Sequence, residues 1–275
     1  MSKKNGQARV LSSDEVNNLF EQIQKHRHPE KNNAIMEISF KLGLRAQEIS
    51  LLEMKEVCEL YGLPGDKNRQ FKIHKVMTVP ASYTKGANAM KKTETVSSYK
   101  RKVLSFSVSE FDRLVHLIAK MAQSDVKIEP SDFYPEIKLH KGKSRDLALQ
   151  DVSLRKALEL HLSKRLDDDK LGMVSPSSPL FLSQKGTSYS PNTLQEHMSV
   201  MLRKWAGVEK SSSHSGRRTL LTDIIHNQAK PISVAQKIAG HVSPATTLIY
   251  AEASEVNIVS ALTNLSYGKL TKKNK

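Results

Sequence analysis

The stretch between residues 211 and 252 restricts what this chain can fold into more than any other. It reads SSSHSGRRTLLTDIIHNQAKPISVAQKIAGHVSPATTLIYAE, with His214 and Arg217 three residues apart. His241 directly follows a glycine, and Tyr250 lies nine residues beyond that histidine. Two imidazoles, a guanidinium and a phenol can share one pocket only if the chain folds back between them. A proline and a glycine inside the stretch supply the breaks that such folding needs.

The breaks predict three short helices rather than one long core helix. We expect the first over residues 216–227 and the second over residues 233–239, with Ser233 as its N-cap. A third short helix is expected to carry Tyr250, because Pro244 suits the first turn of a helix. The polar residues of the stretch would then meet where the three helices converge.

The strings HSGRR, AGH and TTLIY resemble, in this order and spacing, the C-terminal half of the tyrosine recombinase (phage integrase) family. That family's pattern is His-x-x-Arg, Gly-His and then a nucleophilic tyrosine. Each residue alone is more often packing or surface, so the combination carries the resemblance. It implies an α+β fold: a mainly helical catalytic domain with a small antiparallel β-sheet. It also implies that Tyr250 attacks a phosphodiester, that Arg217 and His241 bind the phosphate, and that His214 accepts the tyrosine proton.

The segment LGLRAQEISLL near the start of the chain resembles the first conserved box of the same family. The resemblance makes Arg45 the first catalytic arginine and Glu48 its structural companion. An arginine at a helix N-terminus opposes the helix dipole. That placement is reasonable if a phosphate binds beside it; the alternative is an ordinary surface arginine.

The charge balance favours a polyanionic partner. The chain of 275 residues carries 43 Lys and Arg against 28 Asp and Glu, a formal net charge of +15. Charge alone fits a merely soluble basic protein nearly as well as a nucleic-acid-binding protein, and the phosphate-directed motif in the same chain favours nucleic acid. Membrane-surface binding is the weaker alternative, because no helix pattern is basic on one face and aromatic on the other. The single cysteine, Cys58, excludes an internal disulfide and a cysteine-rich zinc site. Without an apolar run of membrane-spanning or signal-peptide length, we expect a cytoplasmic, nucleoid-associated protein.

The stretch of residues 57–138 is longer than its counterpart in the compact family pattern, and we interpret it as an elaboration of the catalytic domain. Residues 71–83 and 98–108 alternate as strands do, and residues 109–123 form an amphipathic helix. The residues predicted on the core face of this helix are Phe111, Leu114, Leu117, Ile118 and Met121. Candidate contacts to the DNA backbone are Lys91, Lys92, Lys100, Arg101, Lys102 and Lys143. A solvated charged surface is an equal alternative for these basic residues.

The segment EIKLHKGKSRDLALQ predicts a β-hairpin with its turn at Gly142. The resemblance places a catalytic lysine in such a turn. Lys141 is the first candidate and Lys143 the second, because a shift of one residue in the turn exchanges them. Lys100 or Lys102 would hold the role if the family's sheet corresponds to the strands predicted upstream.

Later segments predict a helix over residues 151–166, a short buried strand PLFLS, and a helix that starts with Ser190 as cap and Pro191 in its first position. His197 and Trp205 lie on that last helix as packing or DNA-facing residues. We expect a flexible basic arm over residues 1–10, a catalytic domain over 11–268 and a basic tail over 269–275. Most family members have a separate N-terminal helical domain that clamps the opposite face of the DNA. Here the first box begins about forty residues into the chain, which is too few for such a domain, so a stand-alone catalytic domain is expected.

The resemblance implies a site-specific DNA recombinase or integrase that works without metal, ATP or another cofactor. Its implied partner is double-stranded DNA, on which it assembles as a homotetramer of two dimers at paired sites. Two alternatives stay open at this point. A type IB topoisomerase shares the same active-site set, and a DNA-binding regulator could have kept the fold and lost catalysis.

Overall fold

The computed structural model describes residues 8–63, 66, 69–83, 108–122, 144–169, 173–241, 243–251 and 263. The chain divides into two compact units, one formed by Met1–Pro80 with Ser144–Lys275 and the other by Ala81–Lys143. The described helices are α1 (Ser13–Gln24), α2 (Pro29–Glu37), α3 (Ala46–Ser50), α4 (Met54–Val57), α5 (Val108–Met121), α6 (Val152–Asp167), α7 (Pro191–Val200), α8 (Ser215–Thr222), α9 (Ile232–Ala239) and α10 (Pro244–Leu248). The described strands are β1 (Cys58–Tyr61), β2 (Gln70–Ile73), β3 (Val76–Val79) and β4 (Arg145–Ala148).

π-helical turns lengthen three of these helices. They cover Ile38–Leu42 after α2, Met201–Trp205 after α7 and Asp223–Asn227 after α8. Helices dominate the described residues, and the strands pair antiparallel, which confirms the predicted α+β class.

A capping box with Ser12 as N-cap fixes the start of α1. The Ser12 side chain accepts from the backbone N–H of Glu15, and the Glu15 carboxylate accepts from the backbone N–H of Ser12. This reciprocal pairing satisfies two N–H groups that a helix start otherwise leaves without partners. Leu19 and Ile23, one helical turn apart, are fully buried and attach the helix to the core.

The break at Gly43 positions the first candidate residue. The π-helical turn Ile38–Leu42 ends at Gly43, whose φ of 63° lies in the left-handed region that favours glycine. Two residues later Arg45 is the N-cap of α3, as the sequence predicts. The Glu48 carboxylate accepts from the Arg45 backbone N–H at 2.8 Å, so Glu48 holds this helix start in place.

The strands form two antiparallel pairs, β1 with β2 and β3 with β4. The prediction of one strand over residues 71–83 is therefore wrong, because the chain breaks at His74 and its two halves pair with different partners. The backbone N–H of His74 is taken by the carbonyl of Val57, outside either ladder. In the second pair Arg145 lies opposite Val79. The first strand of the hairpin predicted around Gly142 lies outside the described residues.

The second unit contains α5 and a 3₁₀ turn at Ala81–Tyr83. The predicted helix is confirmed. Of its predicted core face, Phe111 and Ile118 are 56% and 53% exposed, Leu114 and Leu117 are half-buried, and the Met121 side chain lies outside what the structure describes.

The stretch of residues 211–252 folds as α8, α9 and α10, with two differences from the prediction. Pro231 rather than Ser233 is the N-cap of α9, two positions earlier than predicted, and the helix begins at Ile232. Tyr250 lies beyond α10, which ends at Leu248, and its backbone N–H still donates to the Thr247 carbonyl at 3.0 Å. Gly240 ends α9 with a φ of 65° and turns the chain toward His241.

Gly216, in the middle of the HSGRR string, lets α8 pack tightly on the turn Ile38–Leu42. A Cβ atom at this position would lie 2.5 Å from the Ser39 hydroxyl oxygen and 3.2 Å from the Phe40 ring. Both distances are shorter than ordinary contacts, and interiors are packed too densely to absorb them without movement. The glycine is therefore required by packing in the helix that carries Arg217.

We predict that Gly216→Ala destabilises the protein by about 1–3 kcal/mol, the usual cost of overpacking a core. Chemical denaturation followed by circular dichroism measures the change. The buried Ser39 hydroxyl has no hydrogen-bond partner among the described residues, so Ser39→Ala alone should be close to neutral. Ser39→Ala should recover part of the loss when combined with Gly216→Ala. Equal stability of Gly216→Ala and wild type would contradict this packing account.

Candidate active site

Arg217 lies at the centre of the site, buried to 2% exposure on α8. Its Nη1 donates to the Gly43 carbonyl at 2.6 Å, and its Nη2 donates to the Ala239 carbonyl at 2.5 Å. Nη2 also lies 2.9 Å from Nε2 of His241. The guanidinium thus joins the chain just before Arg45 to the end of α9. Its Nε is buried and has no hydrogen-bond partner in the described part of the chain.

His241 is held by both ring nitrogens. Nε2 faces Arg217, which can only donate, and Nδ1 lies 2.9 Å from the Thr247 hydroxyl. The ring therefore accepts at Nε2 and donates from Nδ1. Burial, followed by the positive charges of Arg217 and Arg45, lowers the pKa of His241 to about 4. The imidazole is consequently neutral at pH 7.

Tyr250 stacks on His241, with ring centroids 5.8 Å apart and planes at 17°. The tyrosine also packs against an apolar cluster between α8 and α9, formed by Leu221, Ile224, Ala235 and Ala239. Its backbone carbonyl lies 3.2 Å from Nε2 of His226. These contacts hold a tyrosine beyond the last described helix next to the buried Arg217–His241 pair.

Arg45 completes the group from the other side. Its side chain is 25% exposed, and its Nη1 lies 3.5 Å from Oε1 of the fully buried Glu48. Burial alone would raise the pKa of Glu48, but the interactions with Arg145 and Arg45 lower it overall. Glu48 is therefore ionised and serves as the anion that orients Arg45.

Arg145 is a member of this group that the sequence motifs do not predict. It is 7% exposed at the start of β4, and its Nη2 lies 2.9 Å from Oε2 of Glu48. The signal was present in the strand pattern, because Arg145 and Leu147 both point inward. A charged residue at an inward position of a strand needs a buried partner, and Glu48 is that partner.

The site carries more positive than negative charge. Among the described residues, Glu48 is the carboxylate that interacts with Arg45, Arg145 and Arg217. Burial and the charge of Arg45 lower the pKa of Arg217 to about 10, which leaves the guanidinium protonated at pH 7. Buried charge without a counter-ion is costly. An arrangement of this kind is suited to an anionic ligand.

Comparison with known proteins identifies the family of this chain. The model of the phage integrase family matches residues 88–256, more than half of the chain. The chain belongs to the phage integrase family.

Curated and solved relatives agree with this assignment. An 88-residue segment of the chain is 28% identical to tyrosine recombinase XerC from Methylobacterium sp. (strain 4-46), and covers 32% of this chain and 27% of XerC. The crystal structure of XerA recombinase is similar with a TM-score of 0.55 and 20% identity, over 94% of this chain and 65% of that one. The Tn1549 transposon integrase in complex with transposon right end DNA gives a TM-score of 0.51 and 13% identity, over 96% of this chain and 67% of that one.

These likenesses confirm the predicted recombinase catalytic-domain fold for this integrase-family chain. The chain spans about two thirds of the XerA structure, and its match covers about a quarter of XerC. None of the helices that the structure describes is long and apolar enough to span a membrane.

The structure describes some of the other residues predicted to act in the site of this integrase-family chain and leaves others outside the described residues. His214 is the exposed N-cap of α8, one turn before Arg217, and its Nδ1 lies 3.3 Å from the Ser213 hydroxyl. The lysine candidates Lys141, Lys143, Lys100 and Lys102 lie outside the described residues, as do the basic residues Lys91, Lys92 and Arg101.

His197 and Trp205 have packing contacts. His197 Nε2 lies 2.8 Å from the Asn32 amide oxygen, and Trp205 stacks on His26 with centroids 3.9 Å apart. His197 therefore attaches α7 to α2, and Trp205 attaches the π-helical turn after α7 to the segment between α1 and α2.

Proposed function

We propose that this integrase-family protein is a site-specific DNA recombinase that cleaves and rejoins double-stranded DNA through a tyrosine-linked intermediate. The observation that carries the proposal is the convergence of Arg45, Arg217, His241 and Tyr250 on one positively charged site. The family model matches the part of the chain that contains Arg217, His241 and Tyr250. Arg45 lies outside the matched range, and the hydrogen bond from Arg217 to the Gly43 carbonyl links its segment to the same site.

The arginines meet the first requirement of the reaction, which is to bind a charged phosphodiester and its still more charged transition state. A guanidinium offers forked donors that match two phosphate oxygens and keeps its proton at any working pH. Arg45 and Arg217 bind the non-bridging oxygens in this proposal, as pre-organised electrostatic stabilisation of the developing charge. The Arg217 Nε–H is buried and has no partner among the described residues, so it can donate to a phosphate oxygen only if the site opens around it.

His241 joins the phosphate contacts once the substrate is bound. In the substrate-free geometry its Nε2 accepts from Arg217. A phosphate oxygen that takes the Arg217 N–H would free Nε2, and the nearby negative charge would favour a protonated, donating imidazole. Protonation of His241 would thus add a positive charge to the site, where the transition state carries more negative charge than the bound phosphodiester.

Tyr250 is the nucleophile in this proposal. Its hydroxyl oxygen attacks phosphorus, the bond from phosphorus to the 5′-oxygen breaks, and a 3′-phosphotyrosine forms. A phenol has a pKa of about 10 and needs a proton acceptor, for which His214 on the exposed start of α8 is our candidate. Lys141 would protonate the leaving 5′-oxygen, with Lys143, Lys100 and Lys102 as the alternatives.

The phosphotyrosine conserves the energy of the broken bond. A 5′-hydroxyl from a second DNA duplex can therefore reverse the step and exchange strands without ATP. The relatives fit this reading: one similar structure is XerH recombinase bound to its difH substrate after cleavage. A homotetramer of two dimers on paired sites is the assembly we propose for this chain.

Covalent capture tests the proposal even when the target site is unidentified. The purified protein is incubated with suicide duplexes in which a randomised segment adjoins a nick, so that cleavage releases a short strand and traps the adduct. Adducts that survive denaturation are sequenced to find the preferred duplex. Recovery of one preferred sequence, followed by strand exchange between two copies of it, supports a recombinase. Relaxation of supercoiled plasmid without paired sites would instead indicate a topoisomerase, and DNA binding without any adduct would indicate a regulator.

We predict that adduct formation on the selected duplex is unchanged by excess EDTA. The arginines supply the charge that a divalent cation supplies in metal-dependent nucleases. The rate of adduct formation is compared with EDTA, without EDTA and after added magnesium. Loss of activity with the chelator and its return with magnesium would contradict this mechanism.

A further inference from the structure

Arg145 is buried and contacts two parts of the site, Glu48 and the backbone at Gly240. It is the first residue of β4, opposite Val79 at the end of the ladder. Its side chain is 5% exposed, although arginine is rarely buried without a partner. The strand therefore holds a guanidinium inside the protein, next to the Glu48 that contacts Arg45 and the Gly240 that precedes His241.

The first contact of Arg145 is with Glu48. Its Nη2 lies 2.9 Å from Oε2, and the same oxygen accepts from the backbone N–H of Arg45 at 2.8 Å. The other carboxylate oxygen faces the Arg45 side chain at 3.5 Å. Glu48 thus lies between the two arginines, and the direction in which its carboxylate points depends on both.

The second contact is with the backbone at Gly240. A Cβ atom at Gly240 would lie 2.9 Å from Nη1 of Arg145 and 3.1 Å from its Cδ. The guanidinium therefore fills the space that any other residue at position 240 would need. Gly240 immediately precedes His241 and follows Ala239, whose carbonyl accepts from Arg217.

We propose that Arg145 is a positioning residue of the phosphate site. It orients Arg45 through Glu48, and it supports His241 through the backbone of Gly240. Its Nε, Nη1 and Nη2 are all buried without a hydrogen bond among the described residues, and Nη2 meets Glu48 as an ion pair, so its charge also adds to the attraction for an anion. The inference rests on the proposed function, since the group being positioned is the one assigned there to the phosphate.

A double-mutant cycle tests this role. Arg145→Lys, Glu48→Gln and the double variant are compared with wild type for the rate constant of adduct formation on the selected duplex. Lysine keeps the charge but cannot contact Glu48 and the Gly240 backbone at once. We expect Arg145→Lys to slow adduct formation on the order of 10²-fold, the cost of a small misplacement of a catalytic group. The double variant should be little slower than either single variant, because both changes break one network.

Arg155→Lys is the matched control. Arg155 donates from Nη1 to the carbonyls of His74 and Leu149 at 3.3 and 3.0 Å, so it also supports the sheet. Its lysine variant should lower the melting temperature without changing the rate constant below that temperature. If Arg145→Lys behaves in the same way, or if its effect simply multiplies with that of Glu48→Gln, Arg145 is structural and the inference is wrong.

A second measurement separates the inference from the proposed function. If the wild type forms no adduct with any duplex, the recombinase proposal fails, and the phosphate site is then probed with inorganic phosphate alone. Phosphate should raise the melting temperature of wild type and of Arg155→Lys, and should raise that of Arg145→Lys much less. An equal rise in all three proteins would overturn the role of Arg145.

Discussion

Tyr250→Phe is expected to abolish covalent attachment to DNA while leaving DNA affinity close to that of wild type. The substitution removes one hydroxyl group and no positive charge, and phosphate contacts from basic residues dominate affinity. The ring that stacks on His241 and packs on the α8–α9 cluster is retained, so the fold should not change. Denaturing gels of the trapped duplex measure the adduct, and fluorescence anisotropy of the intact duplex measures binding.

Tyr61→Phe is the control for this prediction. Tyr61 is 42% exposed on β1, and its hydroxyl contributes nothing to the proposed chemistry. The control should form adduct at the wild-type rate. Adduct formation by Tyr250→Phe at that same rate would remove Tyr250 from the role of nucleophile.

Arg217→Lys is expected to slow adduct formation by about 10²–10³-fold, the effect of losing one pre-organised donor to a developing charge. Lysine is a point charge on a flexible stem and cannot reproduce the forked contacts with two carbonyls and His241. We prefer lysine to alanine because alanine would leave the carbonyls of Gly43 and Ala239 buried without donors. Each such group costs about 1–3 kcal/mol, which could unfold the protein.

The folded fraction of Arg217→Lys is therefore measured by circular dichroism beside its activity. Arg203→Lys is the control, because Arg203 is exposed on the π-helical turn after α7. Both variants should bind DNA, and the control should cleave at the wild-type rate. A folded Arg217→Lys protein with wild-type activity would contradict the assignment of Arg217 to the phosphate.

The parts of this site that could be predicted from sequence are those set by local chemistry. The break at Gly43 comes just before the start of α3, and the helix predicted from residue 216 begins at Ser215. The approach of Arg217 to His241 required only that the chain turn back at the end of α9. Local signals failed where tertiary contacts decide the outcome: Tyr250 lies past its helix, and the strand predicted over residues 71–83 breaks because its halves have different partners.

Arg145 could not be recognised from the family pattern alone. Its partner Glu48 is almost a hundred residues away in the chain, and only the folded sheet brings β4 against the start of α3. The contact with Gly240 is equally non-local, because the glycine already has a sufficient local explanation as the end of α9. The general acid among Lys141, Lys143, Lys100 and Lys102 stays a prediction, since these lysines lie outside the described residues.

The most direct test of the proposed chemistry is to find the residue that carries the DNA. The trapped adduct is digested with nuclease and trypsin, and the peptide covering residues 238–269 is sequenced by mass spectrometry. This peptide contains both Tyr250 and Tyr267, so fragment ions distinguish the two tyrosines. We predict a nucleotide attached to Tyr250 through its 3′-phosphate. A nucleotide on Tyr267 or on any other residue, or a linkage through the 5′-phosphate, would contradict the account.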